Sequence, residues 1–92
     1  MKIEAAQRLR ANPIIDAVVA VFYKHLTDLA HIDIQTEGSR YTIIITHNST
    51  PSKDQISKSH DLAYAIADKL KLRVRELARS KGGKIQEYVL DD

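Results

Sequence analysis

The stretch HIDIQTEGSRYTIIITH, residues 31–47, changes the rhythm of the chain. Upstream of it apolar residues recur every three or four positions; within it they alternate. His31-Ile32-Asp33-Ile34-Gln35-Thr36 reads as a half-buried strand, with polar and apolar side chains on opposite faces. Glu37-Gly38-Ser39-Arg40 supplies turn residues, and Tyr41 to His47 is rich in β-branched side chains. The segment predicts a β-hairpin over 31–47. In its second strand Tyr41, Ile43, Ile45 and His47 point one way and Thr42, Ile44 and Thr46 the other. Ile44 among threonines predicts that part of this second face is covered as well.

Both flanks of the hairpin read as helical. Upstream, Ile15, Val18, Val19, Phe22, Leu26 and Leu29 form a broad apolar stripe, opposite Asp16, Lys24 and Asp28. Asn12-Pro13 supplies a favoured cap and a proline suited to the first helical position, which predicts a helix over 13–30. A short helix over 2–11 precedes it, with Ile3, Ala6 and Leu9 on one face. Downstream, Asn48 to Ser52 is a loop by composition, and Ser52 or Asp54 can cap a helix beginning there. Ile56, Ala63, Ile66, Leu70, Val74 and Leu77 recur at helical steps, which predicts a long helix over 53–79, stopped by Ser80-Lys81-Gly82-Gly83. Such a helix is ~40 Å long, whereas a seven-residue strand spans ~23 Å. It must overhang the sheet, break near Lys69–Arg73, or finish its packing on a partner chain. Residues 85–90 predict a last strand. The expected fold class is α+β: a single domain over 1–92, in the order α-α-β-β-α-β, with a three-stranded sheet of order 2-1-3 and helices packed on one face.

Composition narrows the function classes. Apolar residues make up 43% and charged residues 28%, too apolar for intrinsic disorder. Absence of cysteine excludes disulfides and thiolate zinc sites. The longest apolar run, Ala17 to Tyr23, is far short of the ~20 residues of a membrane span. The first ten residues lack the apolar stretch of a secretory signal, so the expected location is the cytoplasm. A core this small gains from dimerisation, and Thr42-Ile43-Ile44-Ile45-Thr46, read as the outer strand of the hairpin, is an edge that predicts a homodimer.

The net charge of +2 is unevenly spread. Residues 69–84 carry seven Lys/Arg against one Glu, whereas residues 85–92 carry three acids and no base. On a helix, Lys71, Arg75 and Arg79 share one face, Lys69 and Arg73 form a neighbouring row, and Lys81 and Lys84 flank the open amides of Gly82-Gly83. Cations at this spacing suit nucleic-acid phosphates. The alternative for the same residues is a solvated helix end, where positive charge favours the helix dipole.

Other candidates carry less. His25, His31, His47 and His60 have no metal-ligand or helical motif spacing. His47 near Ser49 and Asp54 is the one arrangement from which a nucleophile and base could be built, although a strand end followed by a Ser/Thr/Pro loop is ordinary turn chemistry. Asp54, Asp61 and Asp68 recur every seven residues, ~10 Å apart along a helix, too far to share a cation. No catalytic residue, metal or cofactor is assigned. Tyr23, Tyr41, Tyr64 and Tyr88 are candidate interface anchors.

Two resemblances bear on function. The helix-strand-strand-helix-strand order, with Lys69-Leu70-Lys71-Leu72-Arg73 at a basic helix end, resembles type II KH folds over about residues 13–90, although the chain contains no G-x-x-G. This resemblance implies RNA binding. Separately, Lys2-Ile3-Glu4-Ala5-Ala6-Gln7-Arg8-Leu9-Arg10 looks like the start of several short proteins of tailed bacteriophages. It implies a phage or prophage accessory protein that acts in the host cytoplasm and binds and inhibits a host component. The first expectation is thus a non-enzymatic module that contacts nucleic-acid phosphates through Lys69, Lys71, Arg73, Arg75, Arg79, Lys81 and Lys84. The second is an accessory protein using the same patch on an acidic host protein, and the third an enzyme using His47.

Overall fold

The computed structural model describes residues 13–92; the helix expected over 2–11 and the phage-like opening lie outside them. In chain order the elements are α1 (Pro13–His25), β1 (Leu29–Glu37), β2 (Arg40–His47), α2 (Lys53–Leu70), β3 (Arg73–Arg79), a 3₁₀ turn (Lys81–Gly83) and β4 (Ile85–Asp91). Among the described residues the sheet has four strands rather than three, in the order β1-β2-β4-β3. Every neighbouring pair is antiparallel.

The extra strand comes from the segment expected to finish the long helix. That helix does break, and Lys71 breaks it. Lys71 takes the left-handed conformation at φ 60°, ψ 38°. Its N–H donates to the Asp68 carbonyl at 3.1 Å, and the next N–H, of Leu72, reaches back to Ala67 at 2.8 Å. These are the two bonds of a Schellman cap, with lysine where glycine is usual. From Leu70 the side chains alternate: Leu70, Leu72 and Val74 are half-buried, whereas Lys71, Arg73 and Arg75 are exposed. The pairing then slips between Val74 and Glu76, leaving Arg75 as the extra residue of a β-bulge. Beyond the bulge Leu77 pairs with Tyr88 and Arg79 with Gln86. The one-residue slip explains why the apolar positions Val74 and Leu77, three apart, mimic a helical step.

The hairpin forms as expected, with wider bounds. Gly38, at φ 62°, occupies the first position of a two-residue turn between paired Glu37 and Arg40. Only glycine takes that position freely. The upstream helix stops at His25, not residue 30. Asp28 adopts φ 57°, the Thr27 N–H donates to the Gln55 side chain at 2.9 Å, and Leu29 already belongs to β1.

Core positions follow from strand phase. Ile32 and Ile34 of β1 pair with Ile45 and Ile43 of β2, which pair with Gln86 and Tyr88 of β4. Both helices cover this face, burying Val18, Phe22 and Leu26 from α1 and its end, and Ala63, Ile66 and Ala67 from α2, against it. The opposite face carries Asp33, Thr42, Ile44, Glu87 and Val89, and neither helix packs there. The second strand of the hairpin is not an edge: β4 pairs with its free side, so its β-branched run is satisfied within the chain. β4 pairs with β2, not with β1 as a 2-1-3 order requires. Both features that predicted a homodimer, an overhanging helix and an unpaired β2, are therefore absent. No described helix is long and apolar enough to cross a membrane.

Candidate functional site

The basic segment is an edge strand with two flanking turns. Lys69 lies in the last turn of α2, Lys71 is its cap, Arg73 and Arg75 lie on β3, Arg79 closes β3, and Lys81 and Lys84 belong to the turn into β4. All seven side chains are exposed. The helical row Lys71, Arg75, Arg79 does not exist. On a strand these residues spread out, and six steps from Arg73 to Arg79 cover about 20 Å. They also diverge in direction. Arg73 pairs with Asp91 on the open face, Arg79 pairs with Gln86 on the helix-covered face, and Arg75 projects from the bulge.

Among the described residues none of the seven forms an ion pair. The ion pair present there joins Arg40 to Asp91 at 3.2 Å. The Asp92 backbone N–H, and then the Arg40 guanidinium and the nearby Arg75, hold the Asp91 carboxyl below the usual carboxylate range. Around it Arg40, Arg73, Arg75 and Glu76 line an open polar recess of about 530 Å³. At the other end of β3 the two glycines behave differently from each other. Gly82 is exposed at φ 84°, but Gly83 is buried and its N–H donates to the Ser80 carbonyl at 2.9 Å. A Cβ at Gly83 would lie 3.5 Å from Ile56 Cδ1, so this residue docks the turn on the start of α2 rather than presenting a free amide.

His47, Ser49 and Asp54 are engaged apart. Ser49 Oγ donates to the Asp28 carboxylate, which Asn48 Nδ2 also contacts at 3.2 Å. These bonds hold Asp28 below the usual carboxylate range and tie the two loops together. Asp54 is exposed in the first turn of α2. His47 is buried, with Nε2 2.9 Å from Gln86 Nε2. Burial holds its imidazole below the ordinary value, with Asp28 pulling the other way.

That contact belongs to a polar cluster that sequence reasoning missed. Ser59 Oγ lies 2.8 Å from both Gln86 Oε1 and Tyr88 Oη, and Tyr88 Oη donates to Gln86 Oε1 at 2.9 Å. Ser59, Gln86 and Tyr88 are all buried. Two signals pointed to them. Ser59 interrupts the apolar face of α2 one turn before Ala63, and Gln86 stands in the same strand phase as Tyr88 and Leu90. Polar residues at core positions require internal partners, and no buried side-chain nitrogen or oxygen among the described residues lacks one.

Above this cluster, α2 leaves part of β3 uncovered. Ile56, His60, Leu77, Ala78, Arg79, Gln86 and Tyr88 line a groove of about 210 Å³. Leu77, on the helix-covered face of the sheet, remains 45% exposed. The His60 ring meets Tyr88 edge-on, with centroids 5.9 Å apart, and lies 5.6 Å from the ring of Tyr64. No three acidic or histidine side chains among the described residues are grouped to hold a metal ion. No family model matches the chain, and no curated protein shows significant similarity to it.

Proposed function

We propose that this chain is a non-enzymatic binding module that holds nucleic-acid phosphates along the exposed edge of β3. The supporting observation is the set of seven exposed cations from Lys69 to Lys84, none of them in an ion pair among the described residues. Charges left unpaired at this density attract a polyanion, and binding releases its counterions. Arginines on an edge strand also oppose pairing with a second copy through that edge, because like charges would face each other. A ligand of opposite sign meets no such penalty. The contacts are to backbone phosphates, so the module has low sequence preference and a steep salt dependence.

A second reading rests on the same strand. Among the described residues the outer side of β3 has no strand neighbour, so its backbone groups can receive an acidic protein segment that adds a strand there. This is the reading in which the chain is an accessory module acting on a host protein.

Fluorescence anisotropy of the purified chain against labelled single-stranded RNA, single-stranded DNA and duplex DNA tests the first reading. Micromolar binding is expected, with a log–log salt slope of roughly −3 to −5 if four to seven cations contact a single strand. Absence of binding at low salt would reject the nucleic-acid reading and leave the protein-docking one.

A further inference from the structure

We propose that the groove between α2 and β3 is a base-stacking site, which makes the ligand a single-stranded rather than a double-stranded nucleic acid. This inference rests on the phosphate-binding reading and adds to it what the groove receives. Three observations carry it. First, the groove is continuous with the cationic edge: Arg79 lines it, and Lys81 and Lys84 lie in the turn beyond. A strand whose phosphates run along β3 therefore passes its opening, so charge selects the occupant. Second, Ile56, Leu77 and Ala78 make part of its lining apolar, and His60 adds an aromatic ring. Leu77 is 45% exposed, Tyr88 is buried beneath, and the 50%-exposed Tyr64 flanks His60 outside the lining, with ring centroids 5.6 Å apart. At about 210 Å³ the groove is smaller than the ~300–1,000 Å³ of sites for drug-sized ligands, and it suits one planar heterocycle.

Third, the polar atoms on its floor are already engaged. The Tyr88 hydroxyl and both ends of the Gln86 amide are bonded within the cluster of Ser59 and His47. Both residues are buried and offer no vacant donor at the floor, so a base there is held by its face and not read by its edge. Stacking of this kind accepts every base. In a duplex the base faces are buried against one another and cannot enter.

The test compares three fluorescent probes on the intact chain: an oligothymidylate of about 12 nucleotides, an abasic strand of equal length and charge, and a duplex of equal length. The oligothymidylate is expected to bind about tenfold more tightly than the abasic strand. The His60→Ala/Leu77→Ala variant, altered at two residues of the groove lining, is expected to lose that advantage while keeping its affinity for the abasic strand. Equal affinity for the strands with and without bases would overturn the stacking site and leave phosphate binding standing. An advantage that survives in the variant would overturn this groove as its location, and a duplex bound as tightly as the single strand would overturn the preference. Failure to bind any probe at low salt would remove the phosphate reading, and the stacking site with it.

Discussion

The side-chain nitrogen of Gln86 lies 2.9 Å from Nε2 of His47, and this contact fixes the protonation state of the histidine. Gln86 Oε1 faces the hydroxyls of Ser59 and Tyr88, so the amide nitrogen is the end turned to the imidazole. A donor there requires an acceptor, which makes Nε2 the unprotonated nitrogen and places the proton on Nδ1. A second proton on His47 would set two donors face to face. Flipping the amide would relieve that clash only by turning its nitrogen onto the two hydroxyls.

Stability should therefore fall on mild acidification. Burial lowers the folded-state pKa of His47 below its ordinary value near 6.5, so the unfolded chain takes up the proton first. Stability is thus complete above about pH 6.5 and is lost as pH drops toward the depressed folded value. One proton contributes a slope of at most about 1.4 kcal/mol per pH unit. Urea denaturation at several pH values between about 5 and 7 measures it, a range above that in which carboxylates ordinarily titrate. His47→Gln should flatten the slope, and equal slopes in both proteins would show that His47 is not its source.

Ser59 and Tyr88 should be coupled through Gln86. Each hydroxyl has one proton, and Gln86 Oε1 is within reach of both, at 2.8 and 2.9 Å. Burial raises the Tyr88 phenol above its ordinary value, so it remains a donor. Tyr88→Phe should cost about 1 kcal/mol, because Ser59 still supplies a partner to the amide oxygen. Ser59→Ala should cost a similar amount. The double variant leaves that oxygen buried with no donor and should cost about 1 kcal/mol more than the sum of the two. A double-mutant cycle by denaturation reads this directly, and simple additivity would show that the hydroxyls act independently.

The α+β class, the hairpin and the burial of both helices on one face were legible from period alone. The fourth strand was not, for two physical reasons. Its start is marked by Lys71 in a left-handed cap, and sequence offers no sign of such a cap when glycine is absent. Its alternation, clean from Leu70 to Arg75, is broken by the bulge, after which Leu77 falls in step with a helix. The candidate cations were legible as a set of residues but not as a shape. Arrayed on a helix face, residues 71 and 79 would be ~12 Å apart along the axis; extended geometry, at ~3.3 Å per residue, more than doubles that reach. The buried cluster left only a serine on an apolar helix face and a glutamine in core phase, neither of which names its partner.

Glycine at residue 71 should stabilise the fold. A side chain in the left-handed region costs about 1–2 kcal/mol relative to its ordinary conformation, and glycine is the residue this cap normally uses. Part of the gain is offset because glycine is freer in the unfolded chain. Lys71→Gly is therefore expected to raise the unfolding free energy by about 0.5–1 kcal/mol. Lys71→Ala keeps the strained conformation and should give no such gain. Comparing both variants in urea separates backbone strain from loss of the charge, since each removes the same cation. Equal stabilities of the two would show that φ at residue 71 carries no cost.

The strand form of the basic segment sets a length requirement on its ligand. Lys71 and Arg73 lie at one end of β3, and Lys81 and Lys84 lie beyond the other. Arg73 and Arg79 are separated by about 20 Å, and phosphates along one stacked strand advance ~3.4 Å each. A ligand must therefore be about six nucleotides long before both ends of the edge are engaged. Affinity for oligothymidylates should rise steeply up to that length and then flatten to the slow gain of added binding registers. Reversing charge at one end, with Lys81→Glu and Lys84→Glu, should weaken the longer strands by about tenfold, while strands of two or three nucleotides can still occupy the Lys71–Arg73 end. The Lys71→Glu/Arg73→Glu variant should behave as its mirror image. Titration of a length series by anisotropy at fixed salt resolves the break point. A smooth curve with no change of slope, unaffected by which end is reversed, would mean that the cations act as a diffuse field and that the edge does not serve as a track.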